Sequence, residues 1–458
     1  MLINNDLTPR DLTDAAKRTL DLGAEKVRIL AKAWDASKGT PVFTVDGKYT
    51  TRGWTEWTQG FQYGCAILAY DGLGDEKLLK LGRDQTVAHM AAHVTHVGVH
   101  DHGFNNLSTY GNLRRLMREG RIPRNEWELH FYELAIKASA CAQAGRWSVT
   151  ADGGGAGFIH SFNGPHSLFI DTMRTLRILG VAHLLGHRYQ GENDAIISLL
   201  GRLVHHGLTT AKHAIWYGQG RDHYDVKGRT AHEIIFNPTD GNRRCPSSQQ
   251  GFSPFTTWTR GLAWAILGFS EQLEYLEALP NKDFTAANLP AKPEVIKVFR
   301  TAAEATAEYW IRHATAADGI PYWDAGAPDL HKLVDWRTKP ADPLNPHEPV
   351  DSSAAAIAAQ GLLRLGRFLG ANLGKRYTQA GLTVAKTLLA EPYLSIGPGH
   401  QGLLLHSIYH RPNGWDHVPA GAKTPRGEAS MWGDYHAMEL ALYLQRLDPK
   451  KTYYTFFL

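Results

Sequence analysis

Two carboxylates in this 458-residue chain stand out for their neighbours. Asp101 lies in His100-Asp101-His102-Gly103-Phe104-Asn105, an acid between two imidazoles before a glycine turn, at a helix-loop junction where functional groups concentrate. The same residue fits equally as a capping Asp beside a turn. Asp171 lies in Leu168-Phe169-Ile170-Asp171-Thr172-Met173, flanked by apolar residues in a stretch with helical spacing. A carboxylate so placed is poorly solvated, and desolvation raises its pKa, which keeps a general acid protonated near neutrality. An ion pair with Arg174 is the other reading of that position. Two separated carboxylates with aromatic residues between them suit glycoside chemistry better than nucleophilic chemistry. The chain has no Gly-x-Ser-x-Gly elbow, phosphate loop or dinucleotide fingerprint.

Upstream, His89, His93, His96 and His100 recur at spacings of four, three and four, so a continuous helix would align them on one face. Imidazoles four apart on a helix can chelate zinc, but the His-x-x-x-His pair lacks the adjoining Glu of the zinc-protease motif. A polar stripe facing the core or a sugar is the alternative, and no metal is assigned. Further along, Gln250-Gly251 precedes Thr257-Trp258-Thr259-Arg260-Gly261-Leu262-Ala263-Trp264. Arg260 and Trp264, four apart, present a cation and an indole together, which suits a sugar carboxylate held over a stacking platform. A helix-start Arg and a core Trp would share that spacing. Tyr322-Trp323-Asp324, Asp351-Ser352-Ser353 and Trp432-Gly433-Asp434-Tyr435 repeat the loop-to-helix pattern, with Asp351 and Ser352 as helix caps.

The elements that must carry these residues are mostly helices. Apolar residues recur at helical spacing over residues 12–34, 57–69, 76–94, 126–144, 166–185, 194–215, 259–279, 293–313, 352–369, 379–390 and 430–447. Strand-like alternation is scarce, and the connectors are rich in Gly, Pro, Asn and Asp. With no linker or composition shift, the chain reads as one domain over 1–458 with no separate module. A toroid of alternating inner and outer helices buries both faces of so many helices; an irregular bundle or solenoid shares the pattern. The 13 Trp and 18 Tyr supply flat faces for a sugar cleft or for a large aromatic core. Lys plus Arg exceed Asp plus Glu by only 49 to 45, too dilute for a nucleic-acid binder. No apolar run approaches a membrane span, Met1 to Arg10 is polar, and Cys65, Cys141 and Cys245 lie far apart, so a soluble cytoplasmic protein with free thiols is expected.

In their order and spacing, Glu56-Trp57-Thr58-Gln59-Gly60-Phe61, His100-Asp101 with Gly103-Phe104, Ile170-Asp171, His232, Gln250-Gly251, Trp258-Thr259-Arg260-Gly261 with Ala263-Trp264, Tyr322-Trp323-Asp324, Asp351-Ser352-Ser353 and Trp432-Gly433-Asp434-Tyr435 resemble the unsaturated glucuronyl hydrolases, glycoside hydrolase family 88. The unsaturated rhamnogalacturonyl hydrolases are more distant. The resemblance covers about residues 56–447 and implies an all-α (α/α)6 toroid whose loops close a deep pocket. It implies substrates with a nonreducing-end 4,5-unsaturated uronic acid, as left by a polysaccharide lyase. It further implies that Asp171 is the general acid and base, protonating C4 of the vinyl ether while water adds at C5 and the hemiketal collapses to expel the aglycone. Asp101 would support that chemistry and Trp57 would stack on the sugar. His100, Phe162 (where the family has a Trp), His232, Gln250, Arg260 and Trp264 would line the pocket. No metal or redox cofactor is implied, since protonating a vinyl ether calls for a positioned acid. The oligosaccharide is the expected partner, with no nucleic acid or membrane. The connection from Met117 to Glu128 is longer than usual in the family and is expected to remodel the pocket mouth. A lyase or a hydrolase of saturated uronides on the same scaffold, and a non-catalytic sugar-binding homologue, are the competing readings.

Overall fold

The computed structural model describes residues 1–52 and 57–457; Glu56, which opens the Trp57 motif, lies outside them. Burial sorts the long helices into two kinds. In Thr259–Ala278 every residue from Thr259 to Leu273 is buried, and in Ser352–Leu373 every residue from Ser352 to Gly366. A helix apolar all round needs neighbours all round. By contrast, Lys375–Leu388 buries Tyr377, Ala380 and Val384 on one side and turns its charged residues to solvent.

The buried kind forms an inner ring: Gln59–Leu73, the continuous run His102–Asn106, Leu107–Gly111 and Asn112–Arg118, the pair Thr172–Thr175 and Arg177–Leu184, Thr259–Ala278, Ser352–Leu373 and Met431–Arg446. The amphipathic kind forms the outer ring: Thr13–Ala33, Glu76–His89, Glu126–Ala144, Leu199–His213, Lys292–Tyr309 and Lys375–Leu388. Outer and inner helices alternate along the chain, and Met431–Arg446 packs back on Gln59–Leu73 to close the ring. Among the described residues this is an (α/α)6 toroid.

The ring closes tightly where side chains are missing. A Cβ on Gly103 would stand 2.0 Å from the backbone oxygen of Thr175, and one on Gly60 would stand 2.2 Å from that of Asn105. Three successive inner helices therefore touch backbone to backbone, and the residues just before two of them, Asp101 and Asp171, are brought together. Lower on the axis the core is ionic. The Arg174 guanidinium donates from Nε to Glu271 (2.9 Å) and from Nη2 to Glu439 (2.8 Å), and its Nη1 lies 2.7 Å from His436 Nε2, all fully buried. Arg364 donates to Glu274 (2.7 Å) and to the Tyr454 carbonyl, so the C-terminal segment is tied beneath the ring. Arg174 is thus committed to this network, and the Arg174–Asp171 pair that was the alternative reading of Asp171 does not form.

Three stretches differ from the helical pattern in the sequence. Residues 166–185 are not one helix: Ser167–Phe169 is a strand paired with Glu233–Phe236, which in turn pairs with Arg243–Ser247, and Asp171 sits at the strand-to-helix junction. Residues 76–94 break after His89 into a separate turn, Ala91–Val94. The inner helical run from His102 has no apolar stripe to announce it, because Asn105, Asn106, Ser108 and Thr109 are buried with the rest.

Candidate active site

Every inner helix starts at the same rim. The N-cap positions there are Thr58, Asp101, Asp171, Trp258, Asp351 and Ser430. Asp351 and Ser430 cap in the ordinary way, Asp351 accepting from the amides of Ser353 and Ala354 and Ser430 from that of Gly433. Asp101 and Asp171 do not: neither side chain bonds its own helix end. Their carboxyls face a cleft of about 280 Å³ instead.

His100 joins the two acids. Its Nε2 lies 3.1 Å from Asp171 Oδ1 and 3.8 Å from Asp101 Oδ1, with exposures of 1% for His100, 6% for Asp101 and 8% for Asp171. Burial opposes charge on His100, yet Asp101 and the hydrogen bond and charge of Asp171 outweigh it and raise the imidazole above its ordinary value. Burial pushes Asp101 up, against His100 and with the Asp171 charge. For Asp171, burial works upward but the His100 hydrogen bond and charge, aided by the Arg260 charge, bring it below the ordinary carboxylate value. The expectation that apolar surroundings raise Asp171 is therefore corrected: burial does push it upward, but the His100 hydrogen bond and charge outweigh that push.

The walls are aromatic. Trp57 stacks on Trp432 (centroids 4.9 Å apart) and leans on Phe104, which meets Trp264 at 4.8 Å. Phe162 lies nearly parallel to the His100 ring at 6.0 Å. Arg260 is buried beneath, between Trp258 and Trp432. Its Nη1 donates to Asp351 (3.0 Å) and to the Ile408 carbonyl, and its Nη2 to Gln250 Oε1 (2.7 Å) and the Tyr409 carbonyl (2.8 Å). Arg260 thus fixes Gln250 and the 408–409 backbone while lending its charge to the cleft. His232 packs between Phe169 and Trp258, its Nδ1 accepting from the amides of Gln249 and Gln250. Burial lowers it to about 3, so it is neutral, and its buried Nε2 has no hydrogen-bond partner among the described residues.

Of the residues singled out in the sequence, Trp57, His100, Asp101, Phe162, Asp171, Gln250, Arg260 and Trp264 line this cleft, and His232 backs it. The sequence reading missed Tyr409, His410, Asn413 and Trp415, which form one wall of the cleft. The aromatic cluster around Gly414 was the available signal. Asp416 organises that wall, accepting from the amides of Tyr409 (2.5 Å) and His410 (3.1 Å), and burial raises it to about 6.

The histidine stripe does not exist as an aligned face. His89 stacks on Tyr63, His93 Nε2 bonds Gln59 Oε1 at 2.6 Å, and only His100 reaches the cleft. His102 is held between Ser139 Oγ (2.7 Å) and the His96 carbonyl (3.0 Å). The Met117–Glu128 connection is also misplaced by the sequence reading. It joins the C-terminal end of one inner helix to its outer partner, where Tyr70 donates to the Arg121 carbonyl, at the face opposite the cleft.

No protein-family profile matches the chain. The unsaturated glucuronyl hydrolase of Formosa agariphila is 25% identical over 385 residues, covering 84% of this chain and 78% of that protein. The unsaturated chondroitin disaccharide hydrolase of Streptococcus pyogenes serotype M1 is 24% identical over 446 residues, covering 95% and 92%. The crystal structure of an unsaturated glucuronyl hydrolase specific for heparin superposes with a TM-score of 0.71 at 21% identity, covering 96% of this chain and 100% of that one. The chain is similar to the unsaturated glucuronyl hydrolases in sequence over most of its length and in fold over 96% of it.

Proposed function

We propose that the protein is a glycoside hydrolase that releases a nonreducing-end 4,5-unsaturated uronic acid from lyase-generated oligosaccharides, on one domain spanning the chain. The observation that carries this reading is the buried His100 imidazole shared by Asp101 and Asp171 at the end of an aromatic cleft. Six inner-helix N-termini converge there, and their partial positive charge, with that of Arg260, favours a uronate carboxylate. Trp57 offers a face for the ring, Trp264 backs the wall almost fully buried, and His232 Nε2, without a hydrogen-bond partner among the described residues, offers a donor.

When the sugar displaces water, the loss of solvation disfavours the charged His100–Asp171 pair relative to the neutral one, and the proton passes from His100 Nε2 to Asp171 across their hydrogen bond. Asp171 then protonates C4, the C4–C5 π pair forming the new C–H bond. Asp101 faces the cation that develops at C5 and the ring oxygen. Asp171, again a carboxylate, takes a proton from the water that adds at C5. The hemiketal opens to a C5 ketone, and the hemiacetal left at C1 releases the aglycone as an alcohol. The three free cysteines suit a reducing cytoplasm as the place of action, and no described helix is long and apolar enough to cross a membrane.

The test is turnover of a panel of lyase-generated disaccharides, followed as loss of the conjugated uronate's ultraviolet absorbance. Turnover of saturated uronides alone, or gain of that absorbance from a polymer, would overturn the reading in favour of a different hydrolase or a lyase.

A further inference from the structure

We propose that Asp46, His417 and Glu428 form a binding site for one divalent transition-metal ion, zinc being the reference, away from the catalytic cleft. One ligand atom from each of the three lies within 4.8 Å of the others. Two of them stand on rigid backbone. Asp46 is the first residue of a two-residue turn between the strands Phe43–Val45 and Lys48–Thr50, with φ of 48° at Asp46 and 72° at Gly47, the primed geometry that Asp-Gly favours. The hairpin is joined in turn to the chain beside Glu428, the Thr44 amide donating to the Ala429 carbonyl at 2.9 Å.

The side chains are arranged as ligands rather than as a saturated ion pair. Glu428 is buried, and the hydrogen bonds it takes from Thr44 Oγ1 and the Gly47 amide (3.2 Å) both fall on Oε2, with His400 Nε2 3.6 Å from the same oxygen. That support fixes the carboxylate's direction in the way outer contacts orient metal ligands. His417 Nε2 lies 3.1 Å from Asp46 Oδ1 and is shielded from solvent, yet makes no hydrogen bond among the described residues. One imidazole with two carboxylates is a borderline donor set that suits zinc and its first-row neighbours, whereas Mg²⁺ and Ca²⁺ prefer oxygen alone. Asp46 is 83% exposed, which leaves room for water in the remaining position.

The site has a mechanical meaning. His417 directly follows Trp415 and Asp416, which build one wall of the cleft. An ion at this place ties that wall to the hairpin.

The experiment uses the full-length protein stripped with a chelator and then titrated with Zn²⁺. The expected result is one zinc per chain retained through gel filtration, with a melting temperature that rises with zinc concentration, since an ion bound only by the native state stabilises it. Mg²⁺ and Ca²⁺ should leave it unchanged. Asp46→Asn, at an exposed turn that tolerates Asn, and His417→Gln should each bind zinc at least about tenfold more weakly. No retained zinc, or retention at unchanged affinity in either variant, would overturn the proposal and leave an ordinary His–Asp ion pair, with any bound zinc at other histidines.

Discussion

Gly103→Ala is the most direct perturbation of the geometry that brings the acids together. The added methyl would stand 2.0 Å from the Thr175 oxygen and 2.6 Å from its carbonyl carbon and Cα, all backbone atoms that have no rotamer to change. Ordinary contact begins at 3.4 Å, so the helix that starts after Asp101 must move about 1.4 Å from the one that starts after Asp171. A displacement of about 1 Å in a catalytic pair costs on the order of 10²-fold in rate. Overpacking adds a stability loss of roughly 1–3 kcal/mol. The assay compares kcat on an unsaturated disaccharide with the melting curve of the same preparation. Gly111→Ala is the control, because its methyl meets the Leu107 side chain rather than backbone, toward the other end of the same helical run. A folded Gly103→Ala enzyme with wild-type kcat would show that the spacing of Asp101 and Asp171 does not limit the reaction.

Asp171→Asn keeps shape and should fold normally while losing turnover; activity within about tenfold of wild type would identify another group as the acid. His100 sets the alkaline limb of the pH profile. Its folded pKa lies above 6.5, so the stability contributed by its imidazolium is complete below 6.5 and is lost as pH rises through the folded value, and activity should fall over the same window. His100→Gln should abolish that limb, and an unchanged limb would remove His100 from the proton path. Arg260→Ala should raise KM and lower stability by roughly 3–5 kcal/mol, because Asp351 is left buried and unpaired; unchanged melting would refute the role given to its four bonds. Glu439→Gln should destabilise by a similar amount, about 3–5 kcal/mol, without changing KM, since it breaks the axial network below the cleft.

The outer ring was legible in the sequence because each of its helices has a wet face, as in Lys375–Leu388, and amphipathic spacing records one. The inner run from His102 was not, since a helix enclosed by its neighbours carries Asn105, Asn106 and Thr109 as readily as leucine, and no period survives. The histidine spacing misled for the opposite reason. Its regularity was real, but the helix ends at His89, and a break in the backbone sends equal spacings in different directions. The two carboxylates that face the cleft stand out in their motifs, whereas the direction of the Asp171 shift does not. That shift depends on an imidazole 71 residues away, and only the fold brings it to 3.1 Å.

The ionic filling of the ring sets how a long molecule can be used. With Arg174, Glu271 and Glu439 packed across the axis, the toroid is a cup and not a tunnel. A polymer cannot be threaded through it, and if the cleft acts as proposed on a nonreducing end, what enters does so by its tip. The supply of reactive sites is then counted in chain ends rather than in mass. A long glycan offers this protein no more work than a disaccharide until something else has cut it.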